Sequence, residues 1–288
     1  MKIKILCSGC FHGKIPKNLK KFIKKKKIDL ILNYGDFPDF AAFRDLQFKH
    51  WDEIGAGLTF EDIVGKKKLQ QLERHGIEQG KKLLRFLNSF GIPVIITYGN
   101  HDITDKYPWR AVGEAEPFDK ISPDTLESTI KNLKNITLID YSAKKFRNLY
   151  IYGVGCKVLL PHEPKDSTYY KFWKKHRDYE YKKLKQFFTK EKAKHTIVLT
   201  HDPPYGTKLD KITNKKSPRF GEHLGTDQVK LFVKKYQPLL WICGNIHEGR
   251  GIMKIGKTIV VNTGYGKNGE MAYAEIENRK VKIKLIKL

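Results

Sequence analysis

The sequence predicts an α/β fold built on parallel strands covered on both faces, and three observations carry that prediction. Short apolar runs rich in β-branched residues, such as Pro93-Val94-Ile95-Ile96-Thr97, show no polar alternation, which is the pattern of a doubly buried strand. Between such runs lie stretches with apolar residues at helical spacing, among them Leu69, Leu72, Ile77, Leu83, Leu84 and Leu87. The runs end in glycine or proline turns that carry His, Asp, Asn or Cys, and ligands of open α/β sheets bind beyond the carboxyl ends of strands.

Composition bounds the reading. With 288 residues, 40% hydrophobic and 12% aromatic, the chain can bury a sizeable core. At ~150 residues per domain it is one large domain or a core with an appended cap. No segment approaches the ~18 apolar residues of a membrane span. Met1 to Cys7 is too short and too charged for a signal peptide, so the expectation is a cytoplasmic protein without membrane contact. Cys7, Cys10, Cys156 and Cys243 show no paired framework, which fits a reducing compartment. Lys and Arg number 56 against 31 Asp and Glu, a net charge of +25. Such an excess concentrates anions and points to polyphosphate or nucleic-acid partners, although a solvated lysine-rich surface accounts for it equally well.

The elements follow in order. Ile3 to Cys7 reads as the first strand, delivering Ser8-Gly9-Cys10-Phe11-His12-Gly13, and in extended backbone Cys10 and His12 face the same way. Pro16 to Lys27 is a basic amphipathic helix with Leu19, Phe22 and Ile23 inward. Ile28 to Asn33 is a strand ending in Tyr34-Gly35-Asp36. Phe40 to Phe90 is mostly helical, with a loop or insertion around Trp51, Leu58 and Phe60 where Gly55 and Gly57 interrupt it. The strand at Pro93 to Thr97 delivers Gly99-Asn100-His101-Asp102. Trp109 to Ile139 reads as irregular and punctuated by proline. A strand spans Asn148 to Val154.

A basic helix opens at Tyr169 and runs to about Phe188. Its interleaved aromatics and lysines from Tyr169 to Lys185 suit a nucleic-acid backbone with stacked bases, and their period suits an amphipathic helix packed on the sheet just as well. Thr196 to Leu199, Leu239 to Cys243 and Thr258 to Val261 read as strands delivering His201, then Gly244-Asn245-Ile246-His247, then Asn262-Thr263-Gly264. Met271 to Ile276 and Val281 to Ile286 close the chain as a hairpin across Glu277-Asn278-Arg279.

Strand ends that separately present His, Asp, Asn or Cys are the signature of a convergent site, whereas His50, His75, His162, His176, His195 and His223 read as structural. Imidazole suits Zn, Fe and Mn, and a bridging carboxylate can hold two ions ~3.5–4 Å apart. The ordered motifs Cys10-Phe11-His12, Gly35-Asp36, Gly99-Asn100-His101-Asp102, His201 and Gly244-Asn245-Ile246-His247 resemble those of the calcineurin-like metallophosphoesterases. The resemblance spans nearly the whole chain, with Asn262-Thr263-Gly264 similar to the family's closing loop. It implies a two-sheet αββα sandwich forming a single domain over residues 1–288, with cap or rim insertions at about 40–65 and 109–139.

The resemblance also implies roles. His12 and His247 become ligands of a first metal, Asp36 the bridge, and Asn100 and His201 ligands of a second. His101 becomes the proton donor or charge stabiliser, with Asp102 beside it in the catalytic set. The nucleophile is a metal-activated hydroxide. Two positions depart from the family pattern, Cys10 standing for an aspartate and Asn245 for a histidine. Cys10 with His12, Asp36 and His247 favours Zn or Fe in the first site, and Asn245 weakens the second. The expectation is therefore a phosphatase or phosphodiesterase using divalent ions, two of Mn, Zn or Fe, on a phosphate monoester or diester. The alternative is a non-catalytic descendant that binds phosphate or nucleic acid in the same cleft.

Overall fold

The computed structural model describes residues 2–102, 126–155 and 182–288. Its strands form two mixed sheets of six. In the first, strand order is β12-β11-β1-β2-β3-β4, and in the second β5-β6-β7-β8-β10-β9. The first contains β1 (Ile3–Ser8), β2 (Leu30–Asn33), β3 (Val94–Ile96), β4 (Ile136–Leu138), β11 (Glu270–Glu277) and β12 (Lys280–Lys287). The second contains β5 (Ser142–Phe146), β6 (Leu149–Val154), β7 (Thr196–Thr200), β8 (Leu240–Cys243), β9 (Gly251–Ile255) and β10 (Thr258–Asn262). Strands β1 to β4 are parallel, as are β6, β7, β8 and β10, while the flanking strands β5, β9, β11 and β12 run antiparallel to their neighbours.

Alternation along each strand sends side chains to two different cores. On β1, Ile5 and Cys7 point between the sheets and Leu6 points outward. The inner layer joins Ile3, Ile5, Leu30, Leu32 and Ile95 to Ile151, Ile197, Leu199, Leu240 and Ile242. Outside the first sheet, Leu6, Ile31, Val94 and Ile96 meet α1 (Leu19–Lys26), α5 (Lys66–Asn88) and α6 (Leu126–Lys131) through Leu19, Ile77, Leu84 and Leu126. Outside the second, Tyr152, Val198, Trp241 and Val260 meet α7 (182–187), α8 (Lys190–Ala193) and α9 (Asp227–Tyr236) through Leu184, Ala193, Val229 and Val233. The result is the four-layer αββα sandwich that the motif resemblance implies.

The structure departs from the sequence reading at three strands. β4 lies within the stretch read as irregular, because three residues carry too little pattern to register as a strand. β5 is exposed along most of its length and lysine-bearing, as suits an edge. β9 is the opposite edge and opens on glycine. The start of the stretch read as mostly helical, including the part around Trp51, Leu58 and Phe60 read as a loop or insertion, holds three short helices, α2 (Ala41–Lys49), α3 (Trp51–Gly55) and α4 (Phe60–Val64), the last started by a reciprocal cap between Thr59 and Asp62. The rim at 109–125, Cys156, His162, His176 and the first part of the basic helix, 169–181, lie outside the described residues. Among those described, no helix is long and apolar enough to cross a membrane.

Candidate metal centre

All five motifs converge at the carboxyl ends of the central strands of both sheets. Loops after β1 and β2 are zipped together by main-chain hydrogen bonds, Cys10 N–H to Gly35 O at 2.9 Å and His12 N–H to Asp36 O at 3.0 Å. Four site residues hold left-handed backbone: Cys10 at φ 50°, His12 at 44°, Asp36 at 62° and Asn245 at 58°. Conformations of this kind store strain of order 1 kcal/mol each and persist where the surroundings fix them, which clusters them at functional sites.

Asp36 is the hub. Its Oδ1 accepts the His101 N–H at 2.9 Å, which turns Oδ2 toward His12 Nε2 at 3.4 Å and His201 Nε2 at 3.3 Å. Burial alone would raise the Asp36 carboxyl, but the surrounding imidazoles, His201 foremost, hold it well below the usual carboxylate range. For His201 burial opposes the charge, yet the Asp36 carboxylate outweighs it and lifts the imidazole to about 9. His12 and His247, with less compensation, are driven down by burial to about 3 and about 4.

The donor set supplies a test of fit for a cation. His201 Nδ1 lies 2.9 Å from the Tyr34 carbonyl, which can only accept, so this nitrogen carries the hydrogen. In the neutral ring Nε2 is then a bare lone pair. It faces the Asn100 Oδ1 at 2.9 Å and the Asp36 Oδ2 at 3.3 Å, both acceptors. Three converging acceptors with no donor among them repel one another unless a positive charge stands between them, either a metal ion or a proton on His201. Cys10 extends the set. Its sulfur falls within 4.8 Å of the ligand atoms of two groups, His12 with His247 and Asp36 with His201, so it borders both halves of the site. Burial and the Asp36 charge push its thiol well above the usual range in the absence of a cation.

The remaining residues divide. His101 is half-buried, its ring against His12 (centroids 5.3 Å apart) and Phe40 (5.8 Å). His247 stacks on Tyr265 at 4.0 Å. Asp102, expected in the catalytic set, is occupied otherwise: Oδ2 accepts the N–H groups of Asp36 (2.7 Å) and Gly99 (2.6 Å), and Oδ1 that of Phe37 (2.9 Å). It is buried and serves as a staple beneath the Asp36 loop. Asn245 Nδ2 donates to Asp202 Oδ1 at 2.7 Å, which leaves only its carbonyl oxygen for any ligand.

Three contributors escaped the sequence reading. Tyr34, fully buried, donates to the Gly264 carbonyl at 3.1 Å and shares a hydrogen bond of 2.7 Å with Thr263 Oγ1. Gly9 and Gly244 press on its ring so closely that a Cβ at either would overlap it. Their glycines thus let one tyrosine join the loops of both sheets under the site. Asp202 and Tyr265 orient Asn245 and His247, and only their place beside motif residues could have marked them. Asn262, read as part of the closing loop, donates to the carbonyls of Leu209 (2.9 Å) and Ile246 (2.8 Å) and accepts from Gly264 N–H, fixing the turn that bears His247.

A model of the calcineurin-like phosphoesterase family matches residues 3–249. Protein MJ1162 of Methanocaldococcus jannaschii is 32% identical over 143 residues, which are 48% of this chain and 59% of that protein. The match thus spans less than two thirds of the relative's length. Among solved structures, one crystal structure aligns with 100% of this chain and 99% of its own at 20% identity and a TM-score of 0.66. Another, TT1561 of Thermus thermophilus, aligns over 99% of both chains at 17% identity and a TM-score of 0.54. At these identities the structural likenesses speak for the fold.

Proposed function

The chain belongs to the calcineurin-like phosphoesterase family, and from that premise we propose that it hydrolyses phosphate esters, monoesters or diesters, at a divalent-metal centre formed by the convergent motifs. The observation that carries the proposal is the convergence of ligand atoms, within 4.8 Å of one another, in two groups that share Cys10, His12 with His247 and Asp36 with His201, while Asn100 Oδ1 lies 2.9 Å from His201 Nε2.

One ion would be held by Cys10, His12, Asp36 and His247, and a second by Asp36, Asn100, His201 and the carbonyl of Asn245. Ions there would polarise phosphoryl oxygens and bring the pKa of water toward neutrality. Cys10 makes Zn or Fe the favoured occupant on its side, since a thiolate prefers softer ions than Mg.

The chain's own residues do the rest. Asp102 holds the Asp36 main-chain N–H and the His101 N–H holds the Asp36 carboxylate, so its free oxygen does not turn away when an anionic substrate enters. Asn262 and the Tyr265 ring fix His247 in the same manner. His101, whose main chain is tied to Asp36 while its ring lies beside His12, delivers a proton to the leaving oxygen or steadies charge on the phosphoryl group. The test is turnover of bis(p-nitrophenyl) phosphate and p-nitrophenyl phosphate by protein stripped of metal and reloaded with Mn, Zn or Fe, with bound metal counted. We expect metal-dependent hydrolysis of at least one of the two esters. Absence of turnover with every metal would overturn the reading.

A further inference from the structure

Beside the centre, Phe40 at the N-cap of α2 and Arg44 and Phe48 on the helix stand four residues apart, so they line one side of it. At a rise of ~1.5 Å per residue, Arg44 stands about 6 Å and Phe48 about 12 Å along the axis from Phe40. The inner end of the stripe is fixed, because the Phe40 ring packs against His101 with centroids 5.8 Å apart. Phe43 packs on both Phe40 and Phe60, so α4 braces the helix.

The outer end is open. Phe48 is 49% exposed and Trp51 37% exposed, and their rings lie near-parallel, centroids 6.3 Å apart and planes 22° from one another. Between the two ends, the Arg44 side chain is 44% exposed, and the ion pair it forms with the still more exposed Asp45 is long, 4.0 Å. One helical turn separates Arg44 from Phe40, whose ring lies against His101, so the guanidinium stands on the side of α2 that begins at the centre.

We infer that the α2 stripe is a nucleoside-phosphate subsite, in which Arg44 takes the phosphate of a phosphodiester lying at His101 and the Phe48–Trp51 pair stacks the attached base. This rests on the phosphoesterase reading of the centre and narrows it to esters that carry a nucleobase. Three features favour this occupant over a plain apolar partner. The aromatics are flat rings ordered with their planes aligned, which suits a π-face. A guanidinium separates them from the reacting centre, and guanidinium is the side chain best shaped for bidentate phosphate contact. The whole chain carries +25 and so draws in polyanions.

Two measurements test the inference. The first is fluorescence anisotropy of fluorescein-labelled (dT)6 with metal-free protein in EDTA, comparing wild type with Phe48→Ala, Trp51→Ala and Trp51→Phe. Stacking losses of the usual size raise Kd about tenfold in each alanine variant, with Trp51→Phe recovering most of the affinity. The second is the ratio of kcat/KM for thymidine 5′-(p-nitrophenyl phosphate) to that for p-nitrophenyl methyl phosphate, esters that share a leaving group and differ by the nucleoside. This ratio is expected to fall about tenfold in the alanine variants.

Effects in both measurements assign single-stranded nucleic acid, and an effect on the nucleotide ester alone assigns a mononucleotide ester. Unchanged affinity and an unchanged ratio overturn the inference, even with phosphoesterase activity intact. If metal-loaded wild type hydrolyses neither ester, the phosphoesterase reading fails, and the anisotropy arm still decides whether the stripe holds a base.

Discussion

The Asp102 carboxylate receives the Asp36 main-chain N–H at 2.7 Å, so the loop after β3 holds the loop after β2 in place. With the Gly99 and Phe37 amides it satisfies three buried donors at once. Asp102→Asn turns one acceptor into a donor aimed at N–H groups, each of which costs ~1–3 kcal/mol when left unpaired. The expected loss is roughly 2–4 kcal/mol, a fall of about 5–12 °C in thermal midpoint, with metal affinity lost alongside. Unchanged melting with diminished turnover would instead give Asp102 a direct part in the chemistry.

His101 tells a different story, since its ring belongs to neither group of convergent ligand atoms that Cys10 joins. His101→Ala leaves the main-chain bond to Asp36 in place and removes only the imidazole. Turnover should fall by about 10²–10⁴, the usual contribution of a positioned acid or base, with the same metal content as wild type. Depletion of metal in this variant, measured by elemental analysis, would make His101 a ligand.

Tyr34 links the sheets beneath the site, and two substitutions probe the link separately. Tyr34→Phe strands the Thr263 hydroxyl and the Gly264 carbonyl, at roughly 1–2 kcal/mol. Gly244→Ala drives a methyl into the Tyr34 ring, which is fully buried and on which Gly9 already presses. Overpacking of this kind costs about 1–3 kcal/mol or more. Denaturant unfolding should therefore rank Gly244→Ala as the more damaging. The reverse order would mean that the ring moves aside freely.

The doubly buried strands were legible because β-branched runs such as Val94 to Ile96 and Ile197 to Leu199 admit no other pattern, and the turns after them identified the motif residues. Of the edge strands, β12 was legible through its hairpin, whereas β4, β5 and β9 were not: β5 reads Ser-Ala-Lys-Lys-Phe and faces solvent along most of its length, so no hydrophobic period survives. Side-chain direction was equally hidden. Nothing in Gly99-Asn100-His101-Asp102 says that the His101 ring packs beside His12 and Phe40 while its neighbour Asp102 turns beneath the Asp36 loop, because Asp102's direction is set by the N–H groups of another loop. Tyr34 was hidden for a related reason, since its partners Thr263 and Gly264 lie more than two hundred residues away along the chain.

Cys10 and Asn245 mark where the chain leaves its family's pattern, and the geometry makes the two departures separately testable. The Cys10 sulfur borders both ligand groups, whereas Asn245 is tethered through Nδ2 to the buried Asp202 carboxylate. Replacing the thiolate by carboxylate in Cys10→Asp should shift preference from Zn or Fe toward Mn and Mg, because the ligand becomes harder. In Asn245→His, Asp202 is already placed to accept a ring N–H, the arrangement that orients metal-binding histidines and raises their basicity. That variant should bind a second Mn more tightly, by about 10–100-fold, and the double variant should be the more active diesterase with Mn. Adding Asp202→Asn to Asn245→His should lose most of that gain, since the new imidazole would no longer be held by a carboxylate. Calorimetric titration of metal into the stripped proteins reads each step. A second-site affinity for Mn that is the same in wild type and Asn245→His would remove Asn245 from the metal centre and leave it as a loop residue tied to Asp202.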